Sequence, residues 1–147
     1  MVRTDRASDC VFCDIVHGEA AASMLVRGPT TVAFLDVLPV NVGHALVIPK
    51  AHAVGLADLS PPEGAEMFEV SRRIAAAQRQ LGLADAVNLF LADGGIAGQE
   101  ILHAHLHVLP RRSGDGLSLI VDYPPAPTRE ALDRLAASLA AFIETAT

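Results

Sequence analysis

The chain has no tryptophan, one tyrosine and one lysine, Lys50, in 147 residues. Eleven basic residues stand against seventeen acidic ones, a net charge of −6. So little positive charge excludes a protein that grips DNA or RNA through the phosphate backbone, which needs a basic stripe. It also excludes the basic face of a membrane-surface helix. No apolar run approaches the ~20 residues of a transmembrane helix, and residues 1–10 lack the apolar core of a signal peptide. These absences predict a cytoplasmic protein without a membrane partner. Only two cysteines occur, Cys10 and Cys13. One C-x-x-C pair is too little for a disulfide framework at this length, which leaves a redox pair, half of a metal site, or two plain thiols.

What is present can bury a core: 51% of the residues are hydrophobic and 19% charged. Residues 1–8 read as a flexible N-terminus and residues 9–147 as one domain, a common domain size. Val11–Val16 reads as a short helix stopped by Gly18. Met24–Arg27 and Thr31–Asp36 read as strands meeting at Gly28-Pro29, and Gly43–Pro49 carries a buried-strand signal. Ser60-Pro61-Pro62-Glu63 has the residues of a capping box with proline at the first helical position. Apolar residues at Met67, Val70, Ile74, Ala77 and Leu81 then repeat at helical spacing as far as Gly82. Val87–Ala92 and Ile101–Leu109 read as strands, and Thr128 caps a last amphipathic helix through Leu132, Leu135, Leu139 and Phe142. This order predicts an α+β fold with a mostly antiparallel sheet and two main helices.

Three of the six histidines fall within five residues, His103, His105 and His107. On a strand, alternation puts all three imidazoles on one face, about 6.6 Å apart at ~3.3 Å per residue. Such a row can meet successive oxygens of a phosphate chain, or divide its duties between a metal and a substrate. The glycine-rich turn Asp93–Glu100 ends just before it. Glycines let backbone N–H groups approach an anion, and Gln99 adds an amide, so the turn reads as a phosphate cradle. Cys10 and Cys13 form the knuckle from which zinc sites commonly start. Two more ligands are needed, and spacing alone does not choose among His17, His44, His52 and the triad. A redox role wants a thioredoxin-like βαβ context, whereas this pair precedes every strand. His17, Arg72 and Arg73 read as surface residues.

Together these segments resemble the histidine triad (HIT) superfamily of nucleotide hydrolases and transferases. The resemblance runs through Cys10-Val11-Phe12-Cys13, Ala33–Asp36 with Pro39, Gly43–His52, Ala97–Glu100 and His103–Arg111. It implies a HIT-like antiparallel sheet. It implies that His105 attacks the α-phosphorus of a purine nucleotide and forms a covalent nucleotidyl-histidine. By the same resemblance His107 and His44 line the phosphate site and Asp36 holds the ribose hydroxyls. Val11, Phe12, Phe34 and Val37 wall the base, and Gly98, Gln99 and Glu100 border the phosphate. The bacterial C-x-x-C branch implies a structural zinc held by Cys10, Cys13, His52 and His103, and the family implies a homodimer. Ala92 stands where many members carry asparagine, and Glu100 where phosphoramidate-active members often carry serine. The activities implied are nucleoside phosphoramidate hydrolysis or, through Asp93-Gly94 and Pro110-Arg111-Arg112, dinucleoside polyphosphate hydrolysis. A non-enzymatic nucleotide-binding or scaffold protein is the third reading.

Overall fold

A computed structural model describes residues 6–118 and 120–145. The chain separates into two compact units, residues 1–115 and 116–147. Of the N-terminal stretch expected to be loose, residues 1–5 lie outside the described residues. Arg6 is tied to Glu19 at 2.8 Å and to Asp14 at 3.0 Å.

The first unit contains α1 (Val11–His17), β1 (Met24–Arg27), β2 (Thr31–Leu35), β3 (Ala45–Pro49), α2 (Pro61–Gln80), β4 (Ala86–Phe90) and β5 (Leu106–Arg111). The strands form one sheet in the order β1-β2-β3-β5-β4, and every neighbouring pair is antiparallel. The second unit contains α3 (Arg129–Thr145), whose first turn is capped where the Ala131 N–H meets the Thr128 hydroxyl at 3.2 Å.

Both faces of the sheet are covered, which is why β3 reads as an unbroken apolar run and is buried throughout. Ala33, Ala45, Val47 and Val108 pack against Met67, Val70 and Ile74 of α2. Val32, Phe34, Leu46 and Ile48 alternate to the other face and pack against Phe12, Cys13 and Ile15 of α1. The start of α2 follows the expected cap: the Ser60 N–H donates to the Glu63 carboxylate at 2.8 Å, and Pro61 occupies the first helical position.

The strand expected over Ile101–Leu109 begins only at Leu106. The His103 N–H bonds the Ile101 carbonyl at 2.8 Å, and the Ala104 N–H bonds the Ala53 carbonyl at 2.6 Å. These bonds hold the first two triad histidines in a bend ahead of the ladder. Alternation takes over from His105: Leu106 and Val108 pack on the α2 side, so His105 and His107 face the α1 side.

Candidate active site and metal centre

The bend at the start of β5, the N-terminal turn of α1 and the segment after β3 converge on one cluster. Cys10 precedes α1 as its N-cap and Cys13 lies in its first turn, His52 follows β3, and His103 comes from the bend. Their ligand atoms all lie within 4.8 Å of one another. His103 Nδ1 is 3.5 Å from Cys10 Sγ and 3.7 Å from Cys13 Sγ, and His52 Nδ1 is 3.5 Å from Cys13 Sγ. Zn–S near 2.3 Å and Zn–N near 2.05 Å at tetrahedral angles place sulfur and nitrogen about 3.6 Å apart. The donor set and its spacing therefore fit zinc. The other nitrogen of His103 fits as well: Nε2 donates to the Pro49 carbonyl at 2.9 Å, leaving Nδ1 free of hydrogen for a metal. Burial pushes the Cys13 thiol above its ordinary value, so a thiolate here requires a cation beside it. His17 is exposed and bonds the Cys13 carbonyl through Nδ1 at 2.7 Å, outside this set.

His105 adjoins this centre but turns toward a cleft. Its Nδ1 lies 2.7 Å from the His103 carbonyl, which fixes the proton there and leaves Nε2 with a free lone pair. Phe12 packs edge-on against the ring, with centroids 5.3 Å apart. The cleft measures about 380 Å³, and its walls include Val11, Phe12, Phe34, Asp36, Val37, Gly98, Glu100, His105 and His107.

Two residues expected on this surface stand behind it. Gln99 is buried and does not line the cleft. Its Nε2 donates to the Val54 carbonyl at 2.6 Å, and its Oε1 accepts the Gly94 N–H at 2.8 Å. The amide thus fastens the glycine loop to the segment after β3 instead of facing the substrate. Gly98, at φ +92°, provides the left-handed turn that brings the loop back to β5.

His44 also reaches the cleft indirectly. The Val40 N–H points at His44 Nδ1 at 3.3 Å, making that nitrogen the acceptor. The His44 proton is then on Nε2, 2.9 Å from His107 Nδ1. His107 accepts there and carries its own proton on Nε2, toward the cleft it lines. A backbone N–H two elements away thereby makes His107 a donor. Burial lowers the pKa of His44, and Asp36, 3.5 Å away, only partly opposes this. His107 is pushed down to about 4 by burial and by its neighbours His105 and His44. Both rings are therefore neutral at neutral pH. The sequence reading missed Val40, which contributes only a main-chain hydrogen.

The remaining arginines near the site are otherwise engaged. Arg111 bonds Asp115 at 2.6 Å and Asn88 at 2.6 Å, and the Arg112 guanidinium bonds the Gly82 carbonyl at 2.5 Å. Asp93 receives the Leu56 N–H at 3.1 Å, and Ala92 is buried.

Comparison with known proteins gives one answer. The HIT domain family model matches residues 17–114. A HIT-like protein of Mycobacterium tuberculosis is 44% identical over 128 residues, covering 86% of this chain and 89% of that protein. An adenosine 5′-monophosphoramidase of Saccharomyces cerevisiae is 34% identical over 119 residues, covering 81% and 72%. The crystal structure of a zinc-bound histidine triad family protein from Mycobacterium smegmatis superposes with a TM-score of 0.71 at 42% identity, covering 95% of this chain and 98% of that one.

Proposed function

The chain belongs to the HIT family, and from that premise we propose that it hydrolyses a purine nucleoside phosphoramidate at the α-phosphorus, with His105 as the nucleophile. The observation that carries this reading is the 2.7 Å bond from His105 Nδ1 to the His103 carbonyl, in a ring facing the cleft. With its proton held on Nδ1, the ring leaves the Nε2 lone pair available as a nucleophile. Phe12, Phe34 and Val37 take the base, and Asp36 takes the ribose hydroxyls.

The Nε2 lone pair attacks phosphorus, and a P–N(His105) bond forms. The bond to the leaving nitrogen breaks with its electron pair, and that nitrogen leaves as the amine after taking a proton from solvent. Water then attacks the nucleotidyl-histidine, its oxygen bonds phosphorus, and its proton returns to solvent. The Nε2 bond breaks and neutral His105 is regenerated. His107 donates its Nε2–H to a phosphoryl oxygen as charge gathers there. Cys10, Cys13, His52 and His103 would hold a structural zinc, which would cross-link the start of α1 to the bend. The similarity to the yeast monophosphoramidase supports this substrate class.

The experiment is kinetic. His105→Asn keeps the ring's neighbours but has no nucleophilic nitrogen. It should lower kcat on adenosine phosphoramidate by at least about 1,000-fold, the scale of losing a covalent catalyst. Full turnover in that variant rejects the assignment. A homodimer belongs to the same reading. β4 is an open edge of the sheet, with Leu89 and Phe90 40% and 53% exposed. Sedimentation should return twice the chain mass.

A further inference from the structure

Glu100 lines the cleft that holds His105, and it also lines an adjoining cavity of about 450 Å³ beside Cys10 and His52. Val11 and Ile101 are the other walls the two cavities share. Glu100 is exposed, and among the described residues its carboxylate has no hydrogen-bond or ion-pair partner. Neither cavity has a lysine or arginine among its described lining residues. Arg111 and Arg112, the nearest cations in sequence, are engaged by Asp115, Asn88 and Gly82.

We infer that Glu100 sets the charge of the leaving group, selecting amines that carry a further positive charge and rejecting anionic ones such as polyphosphate. The inference rests on the proposed reaction and deepens it. In-line displacement sends the leaving group away from His105. With the nucleoside placed against Phe12, Phe34 and Val37, Glu100 remains on the cleft wall where it borders the second cavity, and the leaving group is placed there. A carboxylate there attracts an ammonium and repels a phosphate or carboxylate, and no lysine or arginine among the described lining residues offsets it. A polyphosphate leaving group would meet this charge uncompensated. An aminoalkyl or lysine-like group would find a partner.

The test uses three adenosine 5′-phosphoramidates of equal chain length, made from a diaminoalkane, an alkylamine and an amino-alkanoate. The tails are cationic, neutral and anionic, and the scissile bond is the same. In the unmodified protein kcat/KM should fall in that order, with a cation-to-anion ratio of about tenfold or more at low salt, the scale of one charge pair acting in opposite senses. Glu100→Asp should keep the preference, Glu100→Gln should bring the ratio within about threefold of one, and Glu100→Lys should reverse it. Salt at about 0.5 M, where the Debye length is about 4 Å, should flatten the ratio without any substitution. A ratio near one in the unmodified protein, or one that neither salt nor Glu100→Gln moves, overturns the inference while His105-dependent turnover stands. No turnover of any of the three, or turnover that survives His105→Asn, overturns the proposed reaction itself and this inference with it.

Discussion

The two ends of the triad use the same side chain in opposite ways. At the His103 end two thiols and two imidazoles crowd within 4.8 Å of one another, a donor set that fits a metal cation. At the His107 end Val40, His44 and His107 form a line of neutral hydrogen bonds, with Asp36 alongside. His105 lies between them. The partner of the second ring nitrogen decides each role. The Pro49 carbonyl takes the His103 Nε2–H and frees Nδ1 for metal. The His103 carbonyl takes the His105 Nδ1–H and leaves Nε2 without a hydrogen. His44 donates to His107 Nδ1 and leaves His107 a donor.

Loss of the zinc proposed for the His103 end should break this contrast most severely. Chelation, or Cys13→Ser, should destabilise the fold by about 3 kcal/mol or more, since structural zinc contributes on the order of 10 kcal/mol in small peptides and this domain has a core of its own. Denaturant unfolding alongside metal analysis measures it. Unchanged stability after complete metal loss would mean that the cluster is not structural.

The opposite end should respond in rate and not in folding. His44→Phe keeps a ring but removes the donor to His107 Nδ1. kcat should fall about 10- to 100-fold, the scale of one misdirected oxyanion donor. The midpoint of unfolding should move much less than it does for Cys13→Ser. A rate equal to that of the unmodified protein would separate His44 from the orientation of His107.

Acid sharpens the comparison further. The folded His107 pKa of about 4 lies below the ordinary histidine value of about 6.5. Between those values the unfolded chain binds a proton that the folded chain does not. Stability from this group is present above about pH 6.5 and is lost as pH falls toward 4. Proton NMR of the His107 ring should show no titration near pH 6.5, and a midpoint there would contradict the neutral hydrogen-bond line.

The smallest effect belongs to the loop. Gln99→Leu removes the bonds to Val54 and Gly94, and KM should rise several-fold with kcat little changed. An equal drop in kcat would instead place Gln99 against the transition state.

Much of this arrangement was legible before folding. The capping box at Ser60, the short apolar run of β3 and the C-x-x-C pair are local patterns, each set by side chains on one element. The bend at residues 101–105 was not legible, because the apolar alternation of Leu102, Ala104, Leu106 and Val108 imitates a strand throughout. The bond from His103 to Ile101, and that from Ala104 to Ala53 about fifty residues away, hold it in a bend instead. The role of Gln99 was hidden for the same reason: an amide in a glycine loop suits a phosphate as well as it suits the Val54 carbonyl.

By itself the sequence determined which chemical groups the protein has: three clustered imidazoles, two thiols and a glycine turn, on elements whose periods specify helix and strand. The tertiary structure decided which nitrogen of each imidazole faces outward. That choice depends on the main-chain carbonyls of Pro49 and His103 and the N–H of Val40; every residue offers such a carbonyl and every residue but proline such an N–H, and they acquire direction only when the chain has closed around them.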